Sequence, residues 1–203
     1  YGLSLAALET GVHFCDLGGN DEVVRRQRSL DHKARESGIA IVPNCGLAPG
    51  MANVLAARGA ELFDSVDRIA IRVGGLPQTP RPPFNYQLGF SVEGLVNEYS
   101  GFATTIRDSR IAHVETLTEI ETIEFPPPFG SLEAFHTSGG ASLLPEMFEG
   151  KVRHLDYKTI LYPGHCEKFK TLFDIGFASS EPVMVGSNVL TSREMFFELL
   201  KRK

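Results

Sequence analysis

Apolar and polar positions along the chain follow two periods. In residues 1–10, Leu3, Ala6 and Ala7, with Leu5 and Leu8 on an overlapping face, take the spacing of an amphipathic helix. Residues 12–17 form a short apolar run that ends at Gly18-Gly19, and Asn20-Asp21 then opens a charged helix to about Ser37, stopped by Gly38. Residues 39–42 are a second β-branched run, closed by Pro43. Helix, strand, helix and strand joined by short turns make the pattern of a parallel sheet with helical crossovers, so residues 1–50 read as the last part of a doubly wound α/β domain.

The texture changes after Pro49-Gly50. Residues 51–63 predict an Ala-rich helix, and Ile69, Ile71 and Val73 alternate as a half-buried strand ending at Gly74-Gly75. From there to Phe90 the chain is rich in Pro, Gly, Asn and Gln, a binding-loop candidate by its length. Residues 103–125, 132–137 and 152–162 predict strands, with turns at Asp108-Ser109, 126–130 and 138–140. Val114, Leu117, Ile120 and Ile123 are spaced by three and so admit a helix, but enrichment in Thr, Ile and Val favours strand. Residues 192–203 place Met195, Phe196, Leu199 and Leu200 at helical spacing. The expected second part, residues 51–203, is therefore α+β with a mixed, largely antiparallel sheet. The opening helix lacks an N-cap and begins on Tyr1, and the closing one runs to Lys201-Arg202-Lys203 without a Gly or Pro stop, so a longer protein is expected.

Composition narrows the classes of function. The 203 residues carry 20 Lys and Arg against 25 Asp and Glu, a net charge of −5, with 42% hydrophobic residues. Such a chain can bury a core, which excludes disordered and fibrous classes. No apolar stretch approaches the roughly 20 residues of a membrane helix, and no Lys/Arg cluster suggests a nucleic-acid surface. Three cysteines cannot all pair within the chain, and no signal-like segment is present; both favour a reducing, cytoplasmic setting.

Three stretches could carry chemistry. Asn44-Cys45-Gly46-Leu47-Ala48-Pro49-Gly50 lies between a parallel-type strand and a helix, at the sheet end where open α/β folds place ligands; it could equally be a plain strand-to-helix turn, with Cys45 a core thiol. Asp16, at another strand end, could hold a ribose or substrate hydroxyl or cap the next helix. In the stretch from Lys158 to Glu167, Lys158, Ile160 and Tyr162 share one strand face and Pro163-Gly164 presents His165 at a helix start. A Lys can hold a carboxylate, and Tyr or His can move a proton, while a solvated Lys and a helix-capping His are the plainer alternative. No metal is expected: His13, Cys15, Cys45 and the adjacent His165-Cys166 lack the spacing of a zinc site. No Gly-x-Ser-x-Gly elbow supports a serine nucleophile.

The ordered runs VHFCDLGGN, GIAIVPNCGLAPGMAN, IRVGGLP, FSVEGLVNEY, LEAFHTSGG and DYKTILYPGHCEKF resemble the saccharopine dehydrogenase family, most closely its lysine 6-dehydrogenase type, over nearly the whole chain. The resemblance implies an NAD(P)-dependent oxidoreductase oxidising a C–N bond of lysine or a related amino acid, with residues 1–50 the terminal part of a Rossmann-like domain and residues 51–203 a substrate and dimerisation domain, often a homodimer. It further implies Asp16, Cys45, Gly46, Leu47, Ala48 and Pro49 on the cofactor side, Gly75, Leu76, Pro77, Tyr86 and Thr159 on the substrate side, and Lys158, Tyr162 and His165 for anchoring and proton transfer. Two positions depart from the family's pattern. Ala48 stands where saccharopine reductases carry an Asp, which argues against saccharopine as substrate, and Leu161 stands where an Arg is usual. The Gly-x-Gly-x-x-Gly fingerprint that would hold the pyrophosphate is not within these residues, so poor cofactor binding by this stretch alone is expected. A substrate-binding or dimerisation module that performs no catalysis is the alternative reading, and the loss of Arg at position 161 favours it.

Overall fold

The computed structural model describes residues 1–202; Lys203, the last residue of the expected closing helix, lies outside the described residues. In chain order the elements are α1 (Gly2–Thr10), β1 (Phe14–Cys15), α2 (Asp21–Arg28), α3 (Asp31–Glu36), β2 (Ile41–Val42), α4 (Met51–Ala60), β3 (Arg68–Val73), α5 (Val92–Glu98), β4 (Phe102–Arg107), β5 (Arg110–Glu115), β6 (Glu121–Phe125), β7 (Gly130–Phe135), α6 (Leu144–Phe148), β8 (His154–Leu161), α7 (His165–Asp174), β9 (Pro182–Val185), β10 (Asn188–Thr191) and α8 (Ser192–Leu200). The chain divides into two compact units. Unit 1 holds Tyr1–Ile71, Thr104–His113 and Gly139–Tyr157, and unit 2 holds Arg72–Ala103, Val114–Ser138 and the chain from Lys158 onward. The larger sheet has the strand order β5-β4-β8-β7-β6, with β3 also paired to β8. Its antiparallel pairs include β6 with β7 and β7 with β8. The architecture is thus mixed α/β with a mostly antiparallel sheet, as the sequence pattern indicates.

In unit 1, β1 and β2 pair in parallel, Phe14 opposite Ile41 and Cys15 opposite Val42. The helical crossover between them is two helices, not the single helix expected over residues 20–37. At the break the Ser29 hydroxyl donates to the Arg26 carbonyl (2.7 Å) and Leu30 N–H to the Gln27 carbonyl (3.0 Å), which tightens the last turn and drops Leu30 into the core. The start of α2 is well specified: Asn20 Oδ1 accepts from Val23 N–H (3.0 Å), Asp21 and Glu22 occupy the first turn and three arginines the last, all matching the helix dipole. Val24, Leu30, Ala34 and Ile39 are buried, the three larger side chains each contributing about 1.5–3 kcal/mol of hydrophobic stabilisation.

Unit 2 layers helices on one face of its strands. Alternation along β7 sends Leu132 and Ala134 to one side, against Ile160, with Leu76, Ile123, Phe125 and Tyr162 around them. Phe135 points to the other side with Leu161, beneath Val92, Leu95 and Val96 of α5, Cys166 and Phe169 of α7, and Phe196 and Leu200 of α8. Leu161, where the resemblance leads one to expect an Arg, therefore lies wholly inside an apolar layer. Gly74, at the end of β3, is required by close approach: a Cβ there would lie 2.8 Å from the Ile160 carbonyl oxygen. The three-residue spacing through residues 114–123 resolves as two strands joined by a turn in which Leu117 (φ 57°) and Glu119 (φ 52°) adopt left-handed backbone and Leu117 is buried. The β9–β10 hairpin, turning at Gly186 (φ 62°), had no clear signal in the sequence pattern. Among the described residues no helix is long and apolar enough to cross a membrane.

Candidate functional site

The residues expected on the cofactor side all lie in unit 1. After β2 the chain turns through Asn44 (φ 62°) into a loop closed upon itself. Cys45 N–H donates to the Asp16 carbonyl (2.7 Å), Gly46 N–H to Pro49 (3.0 Å), Met51 N–H to Gly46 (2.9 Å) and Ala52 N–H to Leu47 (2.9 Å). Gly50 N–H donates to Asn53 Oδ1 (3.0 Å), which fixes the start of α4. A Cβ on Gly50 (φ 139°) would fall 2.1 Å from the Gly46 oxygen, so only glycine fits there. Asn44 Nδ2 donates to the Ser142 hydroxyl (2.9 Å), which donates to Asp21 Oδ1 (2.7 Å), and Asn53 Nδ2 donates to the Ala141 carbonyl (2.7 Å). The Asp16 carboxylate accepts from Gly18 N–H (2.9 Å) and from the buried Gln27 amide, holding the Gly18-Gly19 turn. Leu17, Cys45 and Leu47 are exposed around this loop.

The residues expected on the substrate side, and those expected to move protons, all lie in unit 2. Lys158, buried at 6% exposure, donates to the Glu119 carbonyl (2.6 Å) and pairs with Glu121 (3.3 Å). Glu121 also pairs with Arg72. Burial alone would raise the Glu121 pKa, but the two cations hold it below its ordinary value. Tyr162 donates its hydroxyl to the Pro77 carbonyl (3.1 Å), which fixes the Gly75-Leu76-Pro77 turn, and Thr159 shares a hydroxyl hydrogen bond with Thr137 (2.7 Å).

His165 is almost completely buried at the start of α7, stacked on Phe169 (4.5 Å between ring centres) with Tyr86 at 5.2 Å. One ring nitrogen, Nδ1, meets the Phe84 carbonyl (3.1 Å), so it carries the proton; Nε2 then accepts from the Tyr99 hydroxyl (3.0 Å). Burial pushes the His165 pKa down to about 4, against a smaller raising effect of the Phe84 carbonyl, so the ring is neutral near neutral pH. Both nitrogens are engaged by the protein, and the ring acts as a clasp. Lys168, one turn along α7, donates to the Pro83 carbonyl (2.7 Å), so the helix grips the loop at two successive residues, Pro83 and Phe84. That loop lines a cavity of about 490 Å³ whose walls are Pro77, Gln78, Thr79, Arg81, Tyr86 and Gln87. Of the residues singled out in the sequence, Pro77 and Tyr86 reach this cavity, and Tyr162 and His165 hold its walls.

Three contributors were not singled out from the sequence. Glu133, facing the helical layer from β7, accepts from Gly164 N–H (2.9 Å) and Cys166 N–H (2.7 Å), a buried carboxylate capping the positive end of α7. Burial and the nearby Glu133 charge push the Cys166 thiol up to about 12, so it stays protonated and unreactive. Glu98 closes α5, where burial raises its carboxyl to about 7. Tyr86 rises to about 12 through burial and the neighbouring Glu98 charge. Arg81 is exposed in the cavity wall. The signal for Glu98 was weak: an acid at a helix end next to the buried Tyr99. Glu133 is the single charge in the otherwise apolar Leu132–Phe135 run. Among the described residues no three His, Cys, Asp or Glu side chains converge as a metal site.

A short parallel pair followed by a mostly antiparallel sheet with helices on one face has counterparts among solved structures. One is the apo, histidine-tagged saccharopine dehydrogenase (L-Glu forming) from Saccharomyces cerevisiae, similar at a TM-score of 0.65 and 18% identity over 87% of this chain and 42% of that chain. The fold is therefore of the saccharopine dehydrogenase class, and this chain spans less than half the length of that protein. The sequence model of the saccharopine dehydrogenase C-terminal domain matches residues 46–203. The chain belongs to the saccharopine dehydrogenase family.

Proposed function

We propose that the chain serves an NAD(P)-dependent oxidoreductase that oxidises a C–N bond of lysine or a related amino acid, in the manner of a lysine 6-dehydrogenase. The observation that carries this reading is the family membership over residues 46–203. The loop of unit 1 fits the nicotinamide end of the cofactor: Leu17, Cys45 and Leu47 offer exposed, uncharged surface, while the loop's own hydrogen bonds leave few N–H groups for a pyrophosphate. When bound, the nicotinamide supplies the hydride acceptor. The Asp16 carboxylate retains acceptor capacity for a ribose hydroxyl beside its two existing bonds.

In unit 2 the substrate enters the cavity behind Pro77 and Tyr86. Loss of hydride from the carbon bearing the amine, with a proton from the nitrogen, leaves an imine, and water opens it to an aldehyde and releases ammonia. Tyr162 and His165 hold the loop that forms the walls, through the Pro77 and Phe84 carbonyls, and Lys158 holds the Glu119–Glu121 segment. Ala48, standing where saccharopine reductases carry an Asp, argues for a smaller diamino acid over saccharopine. A homodimer is part of the same proposal, and sedimentation of the purified protein tests it. The activity test uses protein made from the complete natural reading frame, with NAD or NADP and a panel of lysine, ornithine and saccharopine. Reduced nicotinamide should form with a diamino acid. Binding without reduction for every amino acid would favour the recognition module that performs no catalysis.

A further inference from the structure

We propose that the β9–β10 hairpin is the arm through which two copies of the chain associate, each copy's arm lying against the arm and α8 of the other. The proposal rests on the homodimer reading above and gives that dimer its surface. In the hairpin Met184 stands opposite Val189 on one face and Val183 opposite Leu190 on the other, with Val185 on the second face. All five are 48–67% exposed, so neither face is covered by unit 2. The two strands form a sheet of their own, apart from the larger sheet. A two-stranded hairpin is marginal in water without a covering layer, and this one turns apolar side chains outward on both sides.

Charge and area point to a second copy as the cover. In a two-fold interface each surface meets its own counterpart, so a charge near the axis faces its own kind. Residues 182–191 contain no Lys, Arg, Asp or Glu, in a chain where these make up 22% of residues. Exposed strands commonly carry such charges as a guard against pairing with another chain; here only Pro182, the first residue of β9, serves that end. Directly after the hairpin, Met195 and Leu199 stand one turn apart on α8 and add an apolar stripe at 47% and 48% exposure, while Phe196 and Leu200 of the same helix turn into the core. The exposed parts of these arm and stripe residues come to roughly 650 Å² per copy, or about 1,300 Å² for two, within the ~1,200–2,000 Å² of a stable protein–protein interface.

Sedimentation velocity over a dilution series, on protein from the complete reading frame, tests this with Met184→Lys on one hairpin face and Leu190→Lys on the other. Each should raise the dimer dissociation constant by ~100-fold or more, because it sets a charge in an apolar contact. Leu62→Lys, at an exposed apolar position of unit 1, should leave it unchanged. Circular dichroism confirms folding, which substitutions at exposed positions should preserve. Hydrogen exchange on the unaltered protein reads the same surface without a variant: amides of residues 182–191 should be more strongly protected in the dimer than after dilution to monomer. A dimer that forms unweakened in both hairpin variants, or arm amides whose protection does not change on dilution, would overturn the arm and leave the homodimer reading standing. A wild-type protein that stays monomeric at every concentration, its arm amides free or covered by its own longer chain, would overturn both.

Discussion

Glu133→Gln separates the charge of the α7 cap from its shape. The carboxylate accepts from Gly164 N–H and Cys166 N–H at 2.9 and 2.7 Å while only 8% exposed. Glutamine keeps one acceptor oxygen and turns an NH₂ group toward the second N–H. The loss is one hydrogen bond to a charged acceptor, about 1.5–3 kcal/mol, plus the attraction of the carboxylate for the helix N-terminus, about 0.3–1 kcal/mol. The sum is about 2–4 kcal/mol, or a fall in Tm of roughly 4–16 °C for a chain of this size. Urea denaturation followed by circular dichroism measures it. Because α7 also grips Pro83 and Phe84, proteolysis of the loop between Pro77 and Phe90 should accelerate in the same variant. A change under about 0.5 kcal/mol, with unaltered loop cleavage, would refute the capping role.

Other substitutions probe the remaining parts. The His165 pKa of about 4 lies below the unfolded value of 6.5, so its contribution is complete above pH 6.5 and declines as pH falls toward 4, by about 3 kcal/mol in total. Glu98, raised from 4.5 to about 7, contributes in the opposite sense: its stabilisation is complete below 4.5 and is lost as pH rises through 7. The two slopes offset one another between pH 4.5 and 6.5, so Glu98→Gln should expose a steeper acid loss than the wild type in denaturant titrations; parallel pH profiles would contradict this. His165→Phe removes the N–H donor to the Phe84 carbonyl and the Nε2 acceptor of the Tyr99 hydroxyl and should destabilise by ~2–4 kcal/mol in urea titration. Gly74→Ala puts a methyl group against the Ile160 oxygen and should destabilise by ~1–3 kcal/mol in thermal melts, whereas Gly75→Ala, with nothing near its Cβ, should be close to neutral.

Much of the fold was legible because its signals are local. The β-branched runs flanking the charged crossover and the alternation in β3 and β8 each state a period and a stop signal. The break at Ser29-Leu30 was not legible, because it depends on where the core accepts Leu30. Nor was the turn at residues 116–120, where a buried Leu117 continues the apolar spacing through a left-handed bend. At the site, the polar residues of the Lys158–Glu167 stretch stood out by type, but their geometry depends on partners far away in sequence. Phe84 and Tyr99 occupy both nitrogens of His165, and the Pro77 carbonyl takes the Tyr162 proton. Glu133 escaped notice because a lone acid in an apolar strand acquires meaning only from a neighbouring helix end, here the start of α7.

Lysine deuterated at C6, incubated with NAD or NADP and protein from the complete reading frame, tests the C–N oxidation most directly. The deuterium should appear in the reduced nicotinamide recovered from the reaction, with slower turnover than unlabelled lysine. Unlabelled reduced nicotinamide, or none at all with lysine or ornithine, would contradict it.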